Sequence, residues 1–224
     1  MIIGNDLPLV GPWLARGSSI GILFLLAAGA ACRQMPNPLL LGSTNNVRVA
    51  DRHSSVPWAE SMQVQGLPNL HKVSDGLYRG AQPTAEGLAQ LQTLGIKTVI
   101  NLRDSNGDAA RLAESGVAYE HIPMSAFLVK DDDVMHFLRV AGSPDHGPVF
   151  VHCQRGADRT GLMCAVYRIA VQGWTKDEAL AEMTQGGFGF NHGLQNIVNY
   201  IRDLDIEQIK QRAGLTAAPS LSLN

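Results

Sequence analysis

The sequence predicts an α/β fold: a central, mostly parallel sheet of about four or five strands, flanked by helices. Two observations carry that expectation. Short apolar runs rich in β-branched residues alternate along the chain with segments of helical period, and one such run, 148–151, feeds directly into a glycine-bearing loop and then a helix. Strands are expected near residues 77–79, 98–102, 119–122 and 149–152. Helices are expected between them at 84–94, 108–115 and 131–140, the last opened by three acids that suit the positive end of a helix. Over 160–172, Leu162, Ala165, Val166 and Ile169 share one helical face. Thr175, Lys176, Asp177 and Glu178 have the spacing of a capping box that opens a helix to about Met183. Leu194, Ile197, Val198, Ile201 and Leu204 mark a further helix, and no internal repeat is present.

The chain has 224 residues and a formal net charge of -2, so it offers no broad basic face and nucleic acid is not an expected partner. One catalytic domain over 66–208 is long enough to bury a core, with 209–224 left as a C-terminal tail. Residues 20–31 (IGILFLLAAGAA) form an apolar run too short for a membrane span of about 20 residues but suited to the core of a signal peptide. Residues 1–32 are therefore expected to direct export. Cys32 follows Gly29, Ala30 and Ala31 as in a bacterial lipoprotein processing site, although Gly29 stands where Leu is usual. Lipid on Cys32 would hold the protein on a membrane; the alternatives are a cleaved periplasmic form, an uncleaved anchor, or a cytoplasmic protein whose start is misassigned. Residues 33–65 carry Pro, Asn, Ser and Gly without sustained period and read as a tether.

The chemistry concentrates in His152, Cys153, Gln154, Arg155, Gly156, Ala157, Asp158 and Arg159. A Cys-x5-Arg spacing alone arises by chance at roughly the 20% level, but requiring His before the Cys and Gly three residues after it lowers that to about 1 in 1,000. A thiol of ordinary pKa near about 8.5 becomes a nucleophile at neutral pH if a helix N-terminus, inward N–H groups and an arginine favour its thiolate. Those N–H groups also form an anion nest, with Gly156 allowing the bend. Arg159 supplies a planar fork for two phosphate oxygens, and Thr160 a hydroxyl for the sulfur. His152 reads as orienting the loop. Of the other cysteines, Cys164 falls on the apolar face of the following helix and reads as core; a Cys153–Cys164 disulfide is conceivable only in an oxidising compartment.

His152, Cys153, Gly156, Arg159 and Thr160 match the His-Cys-x5-Arg-Ser/Thr signature, and the chain resembles the cysteine-dependent protein tyrosine phosphatase superfamily. Leu77-Tyr78-Arg79-Gly80-Ala81-Gln82-Pro83, Thr98-Val99-Ile100-Asn101-Leu102-Arg103 and Gly173-Trp174-Thr175 look like compact bacterial dual-specificity members, over about 66–204. The resemblance implies a monomeric phosphomonoesterase that forms a cysteinyl-phosphate and needs no metal or other cofactor. Its substrate would be a phosphotyrosine or mixed phosphoprotein. A phosphoinositide or inositol polyphosphate is the alternative, ahead of a catalytically silent phosphate-binding module or a sulfur-transfer domain. Related enzymes place an acidic residue where this chain has Ser125 or Ala126. Two replacements are open. Asp158 resembles the Asp of a Gly-x-Asp-Arg-Thr variant loop, against the plainer role of bracing the loop backbone. Asp131, Asp132 or Asp133 could instead reach the site, Asp131 first. Gln154 and Arg155 would face substrate, a second arginine favouring more than one phosphate. Asn191 and His192 are rim or loop-cap residues, and Arg79 and Arg103 are structural pairing residues.

Overall fold

A computed structural model describes residues 57–215 of the chain. Three strands of near-continuous burial form the centre of the sheet: β3 (Leu77–Gly80), β4 (Thr98–Asn101) and β6 (Val149–His152). Such strands are covered on both faces and read as unbroken apolar runs. β6 lies between β3 and β4, parallel to both, and β5 (Ala118–His121) adds a parallel edge beyond β4. β1 (Glu60–Ser61) and β2 (His71–Ser74) extend the other side antiparallel, giving the order β1-β2-β3-β6-β4-β5.

Side-chain alternation along the strands divides the core in two. Tyr78, Val99 and Phe150 point to a layer with α1 (Ala85–Thr93) and α2 (Asp108–Leu112). Leu77, Ile100, Val149 and Val151 face the larger layer of α3 (Asp131–Ala141), α4 (Asp158–Ala170), α5 (Lys176–Gln185), α6 (Gln195–Asp203) and α7 (Ile206–Ala213). α4 is buried at every position except Arg159 and Ala170, because α3, α5, α6 and α7 surround it. The capping box at Thr175 and Glu178 is present.

The expected fold class is the observed one, with six strands rather than four or five. The missed strands carry weak signals. β1 is two exposed residues, and β2 reads His-Lys-Val-Ser, whose single aliphatic residue hardly marks an alternation. The domain also starts earlier than residue 66. Ala59 N–H donates to Glu182 Oε1 at 2.7 Å and the Pro57 carbonyl accepts from Arg168 Nη2 at 3.2 Å, so the chain is docked from Pro57 onward. It ends later than 208, since α7 buries Ile209 and Ala213 in the core. The expected leader 1–32, the tether as far as residue 56, and the tail from 216 lie outside the described residues; among those described, no helix is long and apolar enough to cross a membrane.

One boundary difference matters for chemistry. α4 begins at Asp158, not at the expected residue 160, so Asp158 and Arg159 occupy its first turn. The Cys153 loop thus leaves the carboxyl end of β6 between two parallel neighbours, where open α/β sheets place their ligands.

Candidate active site

The residue before α4 is Ala157, which makes no side-chain cap hydrogen bond. An alanine there is a poor cap, worth about 1 kcal/mol less than Ser, Thr or Asp. Its cost leaves the helix N–H groups open to an anion, with the positive end of the dipole behind them. Gly156 has φ +70, and a Cβ on it would lie 2.4 Å from the Gly80 carbonyl. Glycine is required there twice over, by backbone conformation and by the close approach of β3.

Cys153 is 3% exposed at the floor of this loop. Burial alone would raise its thiol, but the Thr160 hydroxyl, the N–H groups of Thr160 and Gly156 and the Arg159 charge outweigh it, and the thiol lies below its ordinary value. Thr160 Oγ1 is fully buried and has no other hydrogen-bond partner, so the sulfur is the group it serves. Arg159 Nη1 donates to the Leu102 carbonyl at 3.3 Å and the Met124 carbonyl at 3.4 Å, which draws the guanidinium across the end of β4. Cys164, by contrast, is a core thiol that burial pushes up to about 11, and both cysteines are free.

His152 is wholly buried and stacks on Phe150 at 5.7 Å. Its Nδ1 meets the Cys153 carbonyl at 3.3 Å, and Asp108 Oδ2 lies 3.4 Å from Nε2, too poorly aligned to satisfy that nitrogen. Burial dominates the Asp108 charge and pushes His152 down to about 4. A neutral imidazole that orients the Cys153 backbone is the result. Asp108 was legible only as a helix-opening acid. Its burial, beside Asn101 and His152, depends on the packing of α2 against α1 and β5.

The acids divide clearly. Asp158 Oδ2 accepts from Arg155 Nη2 at 2.7 Å, and Oδ1 accepts from the Asn191 N–H at 2.8 Å. Both oxygens are engaged, tying the loop to the segment after α5. Asp131 is turned elsewhere: Tyr200 donates to Oδ1 at 2.8 Å, and Arg212 lies 3.8 Å from Oδ2. Asp132 faces Arg212 at 3.5 Å, and burial raises the half-buried Asp133. The residues before α3 contribute no carboxylate; Ala126 instead gives its carbonyl to Asn196.

Replacing Asp158 with Asn should therefore slow good and poor leaving groups by a similar factor, whereas a true general acid would lose ~10²-fold or more selectively on poor ones. Rates on a series of aryl phosphates read the difference. Asp131→Asn should stay within about twofold across that series, since it holds α3 to α6 and α7 rather than reaching the reacting atoms.

On the rim, Gln154 accepts from Arg103 Nε at 3.0 Å, and the Arg155 side chain is 61% exposed despite its pairing with Asp158. Asn191 closes its own loop through Oδ1 to the Gly193 N–H, and His192 is exposed against Phe190. Arg103 is thus a rim residue. Arg79 is buried behind the loop, where it pairs with no carboxylate among the described residues and holds the Gly156 carbonyl instead.

Residues 57–198 match the family described as "DSP-PTPase phosphatase fused to NAD+ Kinase". The dual specificity protein phosphatase TpbA of Pseudomonas aeruginosa strain UCBPP-PA14 is 37% identical over 172 residues, spanning 76% of this chain and 78% of its own. A crystal structure of P. aeruginosa TpbA, in a Cys-to-Ser form in complex with phosphotyrosine, superposes with a TM-score of 0.62 at 36% identity, covering 73% of this chain and 99% of that one. Inositol diphosphatase DSP3 of Arabidopsis thaliana is 28% identical over 156 residues, 64% of this chain and 73% of its own.

Proposed function

We propose that this chain, which belongs to the dual-specificity family of cysteine-dependent phosphatases, dephosphorylates proteins, with phosphotyrosine the preferred residue. The observation that carries this reading is the lowered Cys153 thiol at an uncapped helix N-terminus, beside Arg159. Similarity to TpbA supports the substrate. In the first step Cys153 Sγ attacks phosphorus, an S–P bond forms, and the P–O bond to the tyrosine oxygen breaks, that oxygen taking a proton from water. Water then attacks the phosphocysteine and the thiolate leaves, eased by the Thr160 hydroxyl and the loop N–H groups. Arg159 holds two phosphate oxygens throughout.

A multiply phosphorylated inositol remains the second reading, supported by Arg103 and Arg155 at the rim. It draws less support than free arginines would give, because Asp158 neutralises Arg155. Comparing phosphotyrosine and phosphoserine peptides, phosphoinositides and inositol hexakisphosphate under identical conditions tests the choice. The phosphotyrosine peptide should have the highest kcat/KM; a higher value on an inositol phosphate would reverse it.

The apolar run before Cys32 supports export, with the enzyme acting as a monomer held on the membrane by lipid at Cys32. Metabolic labelling with a fatty acid, lost on Cys32→Ala, is the expected result. Equal labelling of both forms would remove the lipid anchor from this proposal.

A further inference from the structure

Three successive carbonyls of the catalytic loop are held from outside it. The Gln154 carbonyl accepts from the Gln82 N–H at 3.3 Å, the Arg155 carbonyl from Asn69 Nδ2 at 2.9 Å, and the Gly156 carbonyl from Arg79 Nη2 at 2.8 Å. In a trans peptide the C=O and the following N–H point in opposite directions. Holding these oxygens outward therefore turns the N–H groups of Arg155, Gly156 and Ala157 inward. The Gly156 N–H reaching Cys153 accords with this.

Arg79 is the costliest of the three holders. It is 1% exposed, and its Nε has no hydrogen-bond partner. No carboxylate pairs with it among the described residues; Glu182, which feels its charge, is taken by Arg168. Burying an unpaired cation is strongly unfavourable unless anions lie within reach. Its guanidinium lies 3.7 Å from the centroid of the Phe188 ring, and Phe188 is held by Asn69 through its carbonyl at 3.0 Å and by the edge of His71. Nη2 lies beside Gly161 in the first turns of α4, 3.7 Å from where a Cβ would stand, which is an ordinary contact distance. Burial lowers the Arg79 guanidinium, whereas the neighbouring Cys164, Glu182 and Cys153 act in the opposite sense.

We propose that Arg79 is a positioning residue of the phosphatase reaction. By holding the Gly156 carbonyl outward it aims the Ala157 N–H at the phosphate and keeps the loop in the shape in which the Gly156 N–H reaches the Cys153 sulfur. This rests on the phosphatase reading above and assigns part of that chemistry to the Leu77–Pro83 motif, which supplies Arg79, the close-packed Gly80 and the Gln82 N–H.

The test compares the full chain with Arg79→Met and Arg79→Lys, folding checked by circular dichroism and melting temperature. The pH dependence of Cys153 alkylation by iodoacetamide, resolved from Cys164 by mass spectrometry, reads the thiolate without requiring turnover. Arg79→Met should move the alkylation midpoint up by about one pH unit, equal to tenfold less thiolate at a given pH below the midpoint. It should also lower kcat on an aryl phosphate by at least about tenfold and weaken orthovanadate inhibition, the loop donors being misaimed. Arg79→Lys should restore neither the midpoint nor the vanadate affinity, because a point charge cannot both stack on Phe188 and hold the carbonyl. A folded Arg79→Met with midpoint, kcat and vanadate inhibition all unchanged would overturn the proposal. If Arg79→Met does not fold, a folded Arg79→Lys with native kcat and vanadate affinity overturns it equally. Wild-type protein inactive on every phosphate ester would instead remove the phosphatase reading while leaving the alkylation midpoints to be compared.

Discussion

Cys153→Ser should abolish turnover, lowering kcat on an aryl phosphate by roughly 10⁴-fold or more, as expected for loss of a covalent nucleophile. The donors that favour a thiolate here are the Thr160 hydroxyl, two N–H groups and Arg159. They cannot bring a serine hydroxyl within reach of ionisation near neutral pH. Phosphate binding should persist, because Arg159 and the loop N–H groups are untouched; calorimetry with a phosphotyrosine peptide measures it. Activity within tenfold of native would remove Cys153 as nucleophile. The sign of the pH dependence follows from the same contacts. Since the folded thiol lies below its ordinary value, thiolate is present above that lowered value, and kcat/KM falls as pH drops through it.

Arg159→Lys should cost about 10²- to 10³-fold in kcat/KM, comparable to removing an oxyanion donor, although charge is conserved. The guanidinium is stretched between the Leu102 and Met124 carbonyls at 3.3 and 3.4 Å, which leaves its remaining N–H groups aimed as a fork. Lysine presents a single ammonium on a flexible stem and cannot both bind those carbonyls and clasp two phosphate oxygens. The loss should be largest for the phosphoryl-transfer step, read in single-turnover kinetics. A kcat/KM within twofold of native would show that positive charge alone suffices.

Legibility followed the range over which a signal acts. The central strands were visible because β3, β4 and β6 are buried on both faces, so their runs are apolar without interruption. The helices around them were visible through period and, at Thr175, through a capping box. β1 and β2 were not, because a short antiparallel edge needs neither apolar continuity nor regular alternation. The boundary at residue 66 erred for a similar reason: residues 57–61 carry no sustained period and look like tether until Arg168 and Glu182 provide partners more than a hundred positions away.

The catalytic loop is the extreme local case. Within it, Cys153, Gly156, Arg159 and Thr160 fall within eight residues, and their chemistry requires that closeness, so the sequence by itself determined the candidates for nucleophile, anion nest and phosphate fork. Only the tertiary structure decided the rest. It tied Asp158 Oδ1 to Asn191, sent Asp131 to Tyr200 and Arg212, set Asp108 beneath His152, and brought Asn69, Arg79 and Gln82 behind the loop. The physical reason is direction. A carboxylate or guanidinium acts on whatever its hydrogen bonds meet, and residues 33 to 86 positions apart meet only after the sheet and its helices have packed.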